Sequence, residues 1–196
     1  HYQHDDYTLD LCDKLGFIIW AEVPYISKHL ENGNDNIEQQ LKELIIQQYH
    51  HPSIVTWGIS NEITMFKKGR VKAYLEENKK LNEIAHKLDE TRLTTMACFS
   101  MCGPFNKVSK ITDVVSWNLY FGWYVPFKFL NKLWFGFYRL FNKKYPVGMS
   151  EYGAEAMINL HSNNPHVGDS TEEYQADYHE YMLRFYAKRP YFWATH

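Results

Sequence analysis

HPSIVTWGISNE, residues 51–62, decides how the rest of the chain is read. Pro52 bars the continuation of any helix arriving from the left, and Ile54-Val55-Thr56-Trp57-Gly58-Ile59 follows as a β-branched and aromatic run. The run is apolar at consecutive rather than alternate positions, which suits a strand covered on both faces, as in a parallel sheet. It closes on Ser60-Asn61-Glu62, so an amide and a carboxylate sit where such a strand would emerge from its sheet.

The same kind of run recurs at residues 17–23, 93–97, 114–118, 147–150 and 191–194. Between these runs the period changes to that of helices. Ile37, Leu41, Leu44, Ile45 and Tyr49 share one face, as do Val71, Tyr74, Leu75, Leu81, Ala85 and Leu88, and later Tyr174, Tyr178, Tyr181, Met182 and Phe185. Residues 5–15 make a shorter helix. Residues 127–141 (FKFLNKLWFGFYRLF) are aromatic on nearly every side and read as a helix pressed against another domain. Ser170 with Glu173 three residues on reads as a capping box opening the last helix.

Strands alternating with helices, with no glycine-rich phosphate loop after any strand, predict an α/β fold of the (β/α)8 TIM-barrel type rather than a dinucleotide fold. Six strands are two short of closure, so the barrel is incomplete and residues 1–196 read as one partial catalytic domain with no internal boundary. The chain opens on His1-Tyr2-Gln3-His4, without an initiator Met or a signal peptide, and its start reads as cut.

Composition narrows the partners. A net charge of -2 over 196 residues leaves no chain-wide electrostatic footprint for nucleic acid or an anionic membrane, and no apolar run approaches membrane-spanning length. Cys12, Cys98 and Cys102 lack zinc-ligand spacing and read as reduced, mostly buried thiols, compatible with a cytoplasmic address. The histidines form no metal-ligand cluster, with His50-His51-Pro52 read as a helix-ending turn and His29, His86, His161, His166 and His179 as surface or satisfied loop groups. No metal and no cofactor is called for.

In a TIM barrel the chemistry sits where strands end, so the polar residues that close the apolar runs are the candidates. They are Glu22, then Asn61 and Glu62, then Asn118 and Tyr120, then Glu151. Carboxylates flanked by amide, phenol and indole groups are the equipment for splitting a glycosidic bond, one carboxyl holding a proton while the other stays ionised. Each has a plainer reading: a strand-end acid also serves as a salt-bridge partner or caps the following helix. The aromatic content of 17% suits a pocket that stacks on a sugar as well as an ordinary core.

HPSIVTWGISNE and PVGMSEYGAEA (residues 146–156) resemble the acid/base and nucleophile segments of glycoside hydrolase family 2, the family of β-galactosidases and β-glucuronidases. HYQHDDYTLDLCDKLGFIIWAEVPYIS, VVSWNLYFGWY and HSNNPHVGDSTEEYQADYHEYMLR extend the resemblance over nearly the whole chain, and its look is closest to a bacterial β-galactosidase. The resemblance implies a retaining exo-glycosidase acting on terminal β-D-galactosides through a covalent glycosyl-enzyme, with Glu62 as acid/base and Glu151 as nucleophile. It further implies that Asn61 bonds the sugar 2-hydroxyl, that Tyr120 steadies the nucleophile, and that His1 belongs to the loop after the second barrel strand. Glu22, Asn118 and Trp123 join the substrate-binding set, Trp123 either as a stacking wall with Tyr124 or as simple packing. The implied partners are a carbohydrate substrate, the N-terminal sandwich domains and remaining strands of a parent chain, and a second copy in a homo-oligomer. A β-glucuronide or β-mannoside specificity remains an alternative within the family, and a fragment with only a carbohydrate-binding or structural role is an alternative outside catalysis.

Overall fold

Strands form where the apolar runs predict them: β1 (Ile19–Glu22), β2 (Ile54–Asn61), β3 (Leu93–Phe99), β4 (Val115–Asn118), β5 (Val147–Glu151) and β6 (Phe192–Thr195). Helix α1 (Asp6–Leu15) precedes β1, and α2 (Asn34–Gln48), α3 (Val71–Leu88), α4 (Leu130–Phe141) and α5 (Glu172–Ala187) fall between successive strands, except that β3 and β4 are joined by short 3-10 turns. The structure is a computed structural model that describes residues 1–65, 71–143 and 145–196. The chain divides within β4 into two compact units, His1–Ser116 and Trp117–His196.

In the first unit β2 is the central strand, pairing in parallel with β1 on one side and β3 on the other. Ala21 lies opposite Trp57 and Glu22 opposite Gly58; across the other edge Trp57 lies opposite Thr94. Ile54, Trp57 and Ile59 are fully buried, as are Leu41 and Ile45 on α2 and Leu81 and Ala85 on α3, so the middle of each helical stripe faces the core, whereas Tyr49, Val71 and Leu88 at the stripe ends are exposed. Helix α1 starts on the Asp5 side chain, which accepts from the Tyr7 N–H, and ends at Gly16, whose φ of 75° is the left-handed conformation that a helix-ending residue needs.

Two carboxylates secure the N-terminal end of β2. Asp89, past the end of α3, accepts from Trp57 Nε1 at 3.0 Å, from the Thr91 N–H and hydroxyl, and from Arg92 at 2.7 Å. Arg92 spends its other donors on the carbonyls of Tyr49, His51 and Ile54. Burial works to raise the Asp89 pKa, yet the Thr91, Arg92 and Trp57 hydrogen bonds prevail and hold it well below the ordinary carboxylate value. Asp13, on α1, bonds His51 Nδ1 at 2.6 Å and accepts from the Ser53 N–H at 2.9 Å. His51 is thus a buried structural residue and not merely part of a turn.

In the second unit β5 and β6 pair in parallel, with Val147 opposite Phe192 and Met149 opposite Thr195. Helix α4 buries Asn131, Phe135 and Tyr138. Phe135 meets Phe192 at 4.8 Å edge-on, and Trp134 stacks on Tyr138 at 5.5 Å. Its other side keeps Phe129, Leu133 and Leu140 more than half exposed, so the aromatic-all-round pattern comes from an inner packed face and an outer apolar one. Helix α5 corrects the sequence reading of its start. Thr171, not Ser170, is the cap: its side chain accepts from the Tyr174 N–H, while Ser170 takes a left-handed φ of 54°. Asp169 selects Thr171 by accepting from both its N–H and its hydroxyl, and Glu173 turns to His161 and the Ser162 N–H.

Asp13 gives a test of this arrangement. Burial raises its pKa, but the hydrogen bonds from Ser53 and His51 outweigh that and bring it from 3.8 down to about 2. A folded-state pKa below the unfolded one contributes stability that is complete above the unfolded value and lost as the pH falls through the folded one. Melting curves between pH 5 and pH 2 are expected to show that loss, and Asp13→Asn to flatten this part of the slope.

Candidate active site

The sites read from the sequence fall at the C-terminal ends of the strands, and each unit carries its own group of them. In the first unit β1 ends on Glu22, which is buried, and His1 Nδ1 lies 3.2 Å from its Oε1. The Glu22 side chain can lie against β2 because its neighbour there is Gly58. A Cβ built at Gly58 would stand 2.0 Å from Trp20 Nε1 and 2.8 Å from Glu22 Cβ, so no residue but glycine leaves both side chains where they are.

β2 ends on Asn61, which is buried, and Glu62 follows at once in the left-handed region with φ 50°. Two backbone hydrogen bonds fix the step: the Glu62 N–H donates to the Ala97 carbonyl at 2.8 Å, and the Met65 N–H donates to the Glu62 carbonyl at 2.8 Å. A non-glycine residue in this conformation is disfavoured by about 1–2 kcal/mol, and here it turns the chain sharply at the strand end. Glu62 is thereby set at the mouth of the strand instead of continuing its pleat.

In the second unit β4 and β5 present Asn118 and Glu151. The Leu119 N–H donates to the Glu151 carbonyl at 3.0 Å, and Ser150 Oγ donates to Asn118 Oδ1 at 2.5 Å, so the two strand ends are tied by backbone and side chain together. Tyr120 Oη donates to Glu151 Oε2 at 2.6 Å, a charge-assisted hydrogen bond that fixes the orientation of the carboxylate. Trp123 lies in the turn beyond, its ring 6.1 Å from that of Tyr174, while Tyr124 is largely exposed and tilts over Tyr120 at 5.0 Å. Each unit thus fixes an acid at a strand end by its own means, the second by a phenol on the carboxylate and the first by a sharp left-handed step after an asparagine.

The sequence matches the family description "Glycosyl hydrolases family 2, TIM barrel domain" over residues 1–191. The chain belongs to glycosyl hydrolase family 2. Its fold is that of the family's TIM barrel, of which it carries six strands. Among curated family 2 relatives, a β-glucuronidase of Bacteroides fragilis is 34% identical over 212 residues, covering 100% of this chain and 29% of its own. Among solved structures, an FMN-binding β-glucuronidase from Facaelibacterium prausnitzii L2-6 is 44% identical with a TM-score of 0.94, covering 100% of this chain and 30% of that one. A putative β-galactosidase from Bacteroides fragilis is 30% identical with a TM-score of 0.88, covering 100% of this chain and 29% of that one. The chain therefore spans about a third or less of the length of the family 2 proteins it matches.

Among the described residues, ligand-type atoms come close enough for a cation at Asp10, Asp13 and His51. That group precedes β2, at the opposite end of the strand from Glu62, and the hydrogen bond between Asp13 and His51 accounts for two of its three members. Sequence reasoning missed Ser150 as the partner of Asn118, and missed the loop after β1 whose backbone grips Asn61. Ser150 was open to discovery, since it stands beside Glu151 at a strand end; the loop acts through backbone groups, which leave no mark in a pattern of side chains.

Gly58→Ala is expected to cost about 1–3 kcal/mol of stability by forcing Trp20 and Glu22 off β2. Chemical denaturation measures the loss, and an unchanged midpoint would mean that both side chains move at no cost.

Proposed function

We propose that this chain supplies the catalytic strands of a retaining β-glycoside hydrolase, with Glu62 as acid/base and Glu151 as nucleophile. The observation that carries the reading is the Tyr120–Glu151 hydrogen bond of 2.6 Å at the end of β5. In the first step Glu62 gives its proton to the glycosidic oxygen as Glu151 attacks the anomeric carbon; the aglycone leaves as an alcohol and a glycosyl ester remains. In the second step Glu62, now a carboxylate, takes a proton from water, the hydroxide attacks the anomeric carbon, and the Glu151 carboxylate departs. Asn61 holds the sugar 2-hydroxyl, where a hydrogen bond that tightens in the transition state lowers the barrier. His1, Glu22 and Asn118 line the sugar's polar edge, and Trp123 offers an aromatic face.

For the sugar, β-D-glucuronides are favoured over the β-D-galactosides that the sequence motifs first suggested. The support is that relatives matching across the chain, at 34% and 44% identity, are named β-glucuronidases. The galactoside reading is second, and it rests on the structure of the putative β-galactosidase. The test is a side-by-side assay of aryl β-D-glucuronide and aryl β-D-galactoside by a full-length protein carrying this chain. A kcat/KM at least about a hundredfold higher on the glucuronide is expected, because a site built to bond a charged group rejects the analogue that lacks it. A preference for the galactoside would reverse the order of the two readings.

Glu151→Gln in the same protein is expected to lower kcat by at least about a thousandfold on either sugar, since the amide neither attacks nor leaves as a carboxylate does. Retention of full rate would overturn the assignment of the nucleophile.

A further inference from the structure

The loop after β1 does something that its sequence, PYISKH, does not announce. Val23 still donates to the Gly58 carbonyl at 3.2 Å, prolonging the pairing of β1 with β2. The loop then grips Asn61 from both sides. The Asn61 N–H donates to the Tyr25 carbonyl at 2.9 Å, and the Ser27 N–H donates to the Asn61 carbonyl at 2.8 Å, with Ile26 bridged to Asn61. Two residues of this assembly, Ser27 at φ 58° and Glu62 at φ 50°, are left-handed without being glycine. Such a conformation persists only where surrounding bonds over-determine it.

What fixes the loop is a side-chain pair that closes around Ser27. Tyr25 Oη and His29 Nδ1 are 2.6 Å apart, and both residues are buried, at 7% and 4% exposure. Burial first, and then the nearby carboxylate of Glu77 on α3, push the Tyr25 phenol well above its usual range, so it remains a donor. With its proton kept, the phenol can donate to Nδ1, the arrangement in which a neutral ring carries its proton on Nε2. Neither ring is needed for the strand pattern, since both lie outside β1 and α2.

We infer that Tyr25 and His29 are a positioning pair for the acid/base: their hydrogen bond holds the loop whose backbone clamps Asn61, and the clamp sets the left-handed step that presents Glu62. The inference rests on the proposed role of Glu62. The pair touches no substrate; it acts through the Tyr25 carbonyl and the Ser27 N–H.

The test uses the full-length protein and a series of aryl β-D-glucuronides whose phenols range from strongly to weakly acidic. A strongly acidic phenol departs without a proton, whereas a weakly acidic one needs the general acid, whose contribution is about 10²–10⁴-fold. Tyr25→Phe is expected to leave kcat/KM within about threefold on the most acidic phenol and to lower it about ten- to a hundredfold on the least acidic. On the acidic phenols KM is expected to fall with kcat as the glycosyl-enzyme accumulates, and added azide, which attacks without base assistance, to restore turnover. His29→Asn keeps an acceptor near the place of Nδ1 and is expected to retain the wild-type profile, whereas His29→Leu is expected to reproduce Tyr25→Phe. These two decide the matter if Tyr25→Phe does not fold. An equal loss across all phenols, or identical profiles for His29→Asn and His29→Leu, would overturn the inference. Glu62→Gln separates the two levels: if it too shows no dependence on the phenol, the acid/base assignment fails. If it shows that dependence and Tyr25→Phe does not, the positioning role alone fails.

Discussion

A strand covered on both faces must find a partner inside the protein for nearly every backbone group, and β2 is where the first unit meets that constraint. β1 and β3 take the two edges of the strand. Arg92, itself held by Asp89, gathers the carbonyls at its entry, and the loop after β1 takes both backbone groups of Asn61 at its exit. Between them Gly58 gives up its side chain so that β1 can lay Trp20 and Glu22 across it. The polar end of the strand is thus as firmly determined as its apolar middle, which is what a site requiring fixed carboxylates needs.

The second unit reaches a similar end by a different route. Its strands are short, and aromatic rings do much of the filling: Phe135, Phe185 and Phe192 meet one another, and Tyr152, Tyr178 and Tyr186 form a second group. Burial pushes the Tyr178 and Tyr186 phenols well above their usual range, so both remain neutral in this packing. Glu151 is held by polar contacts, from Tyr120 to its carboxylate and from Leu119 to its carbonyl.

Strand positions were legible because buried parallel strands write themselves as unbroken apolar runs, and residues 54–59 and 147–150 begin their strands at the residues expected. The helix faces were legible for the analogous reason at a period of 3.6. The cap of α5 was misread by one residue because Ser170 and Thr171 are both hydroxyl residues, and the choice between them is made by Asp169, through hydrogen bonds that exist only once the turn has formed. His51 and His29 read as ordinary loop histidines because their partners, Asp13 and Tyr25, are recognised only when α1 or the loop after β1 is in place. Of the residues in the proposed roles, Glu62 and Glu151 were legible as acids closing apolar runs, and Tyr120 from its place two residues beyond β4. The identity of the sugar was not, since a short motif around a carboxylate reports the chemistry of bond cleavage and not the contacts that tell a carboxylate from a hydroxymethyl group on the ring.

The backbone at Glu62 also bears on which residues this position accommodates. A φ of 50° is uncomfortable for a glutamate and easy for glycine or asparagine. Replacement by either relieves that backbone strain and discards the carboxylate together. A glutamate at this position therefore carries a backbone cost that glycine or asparagine would not, whatever its side chain contributes.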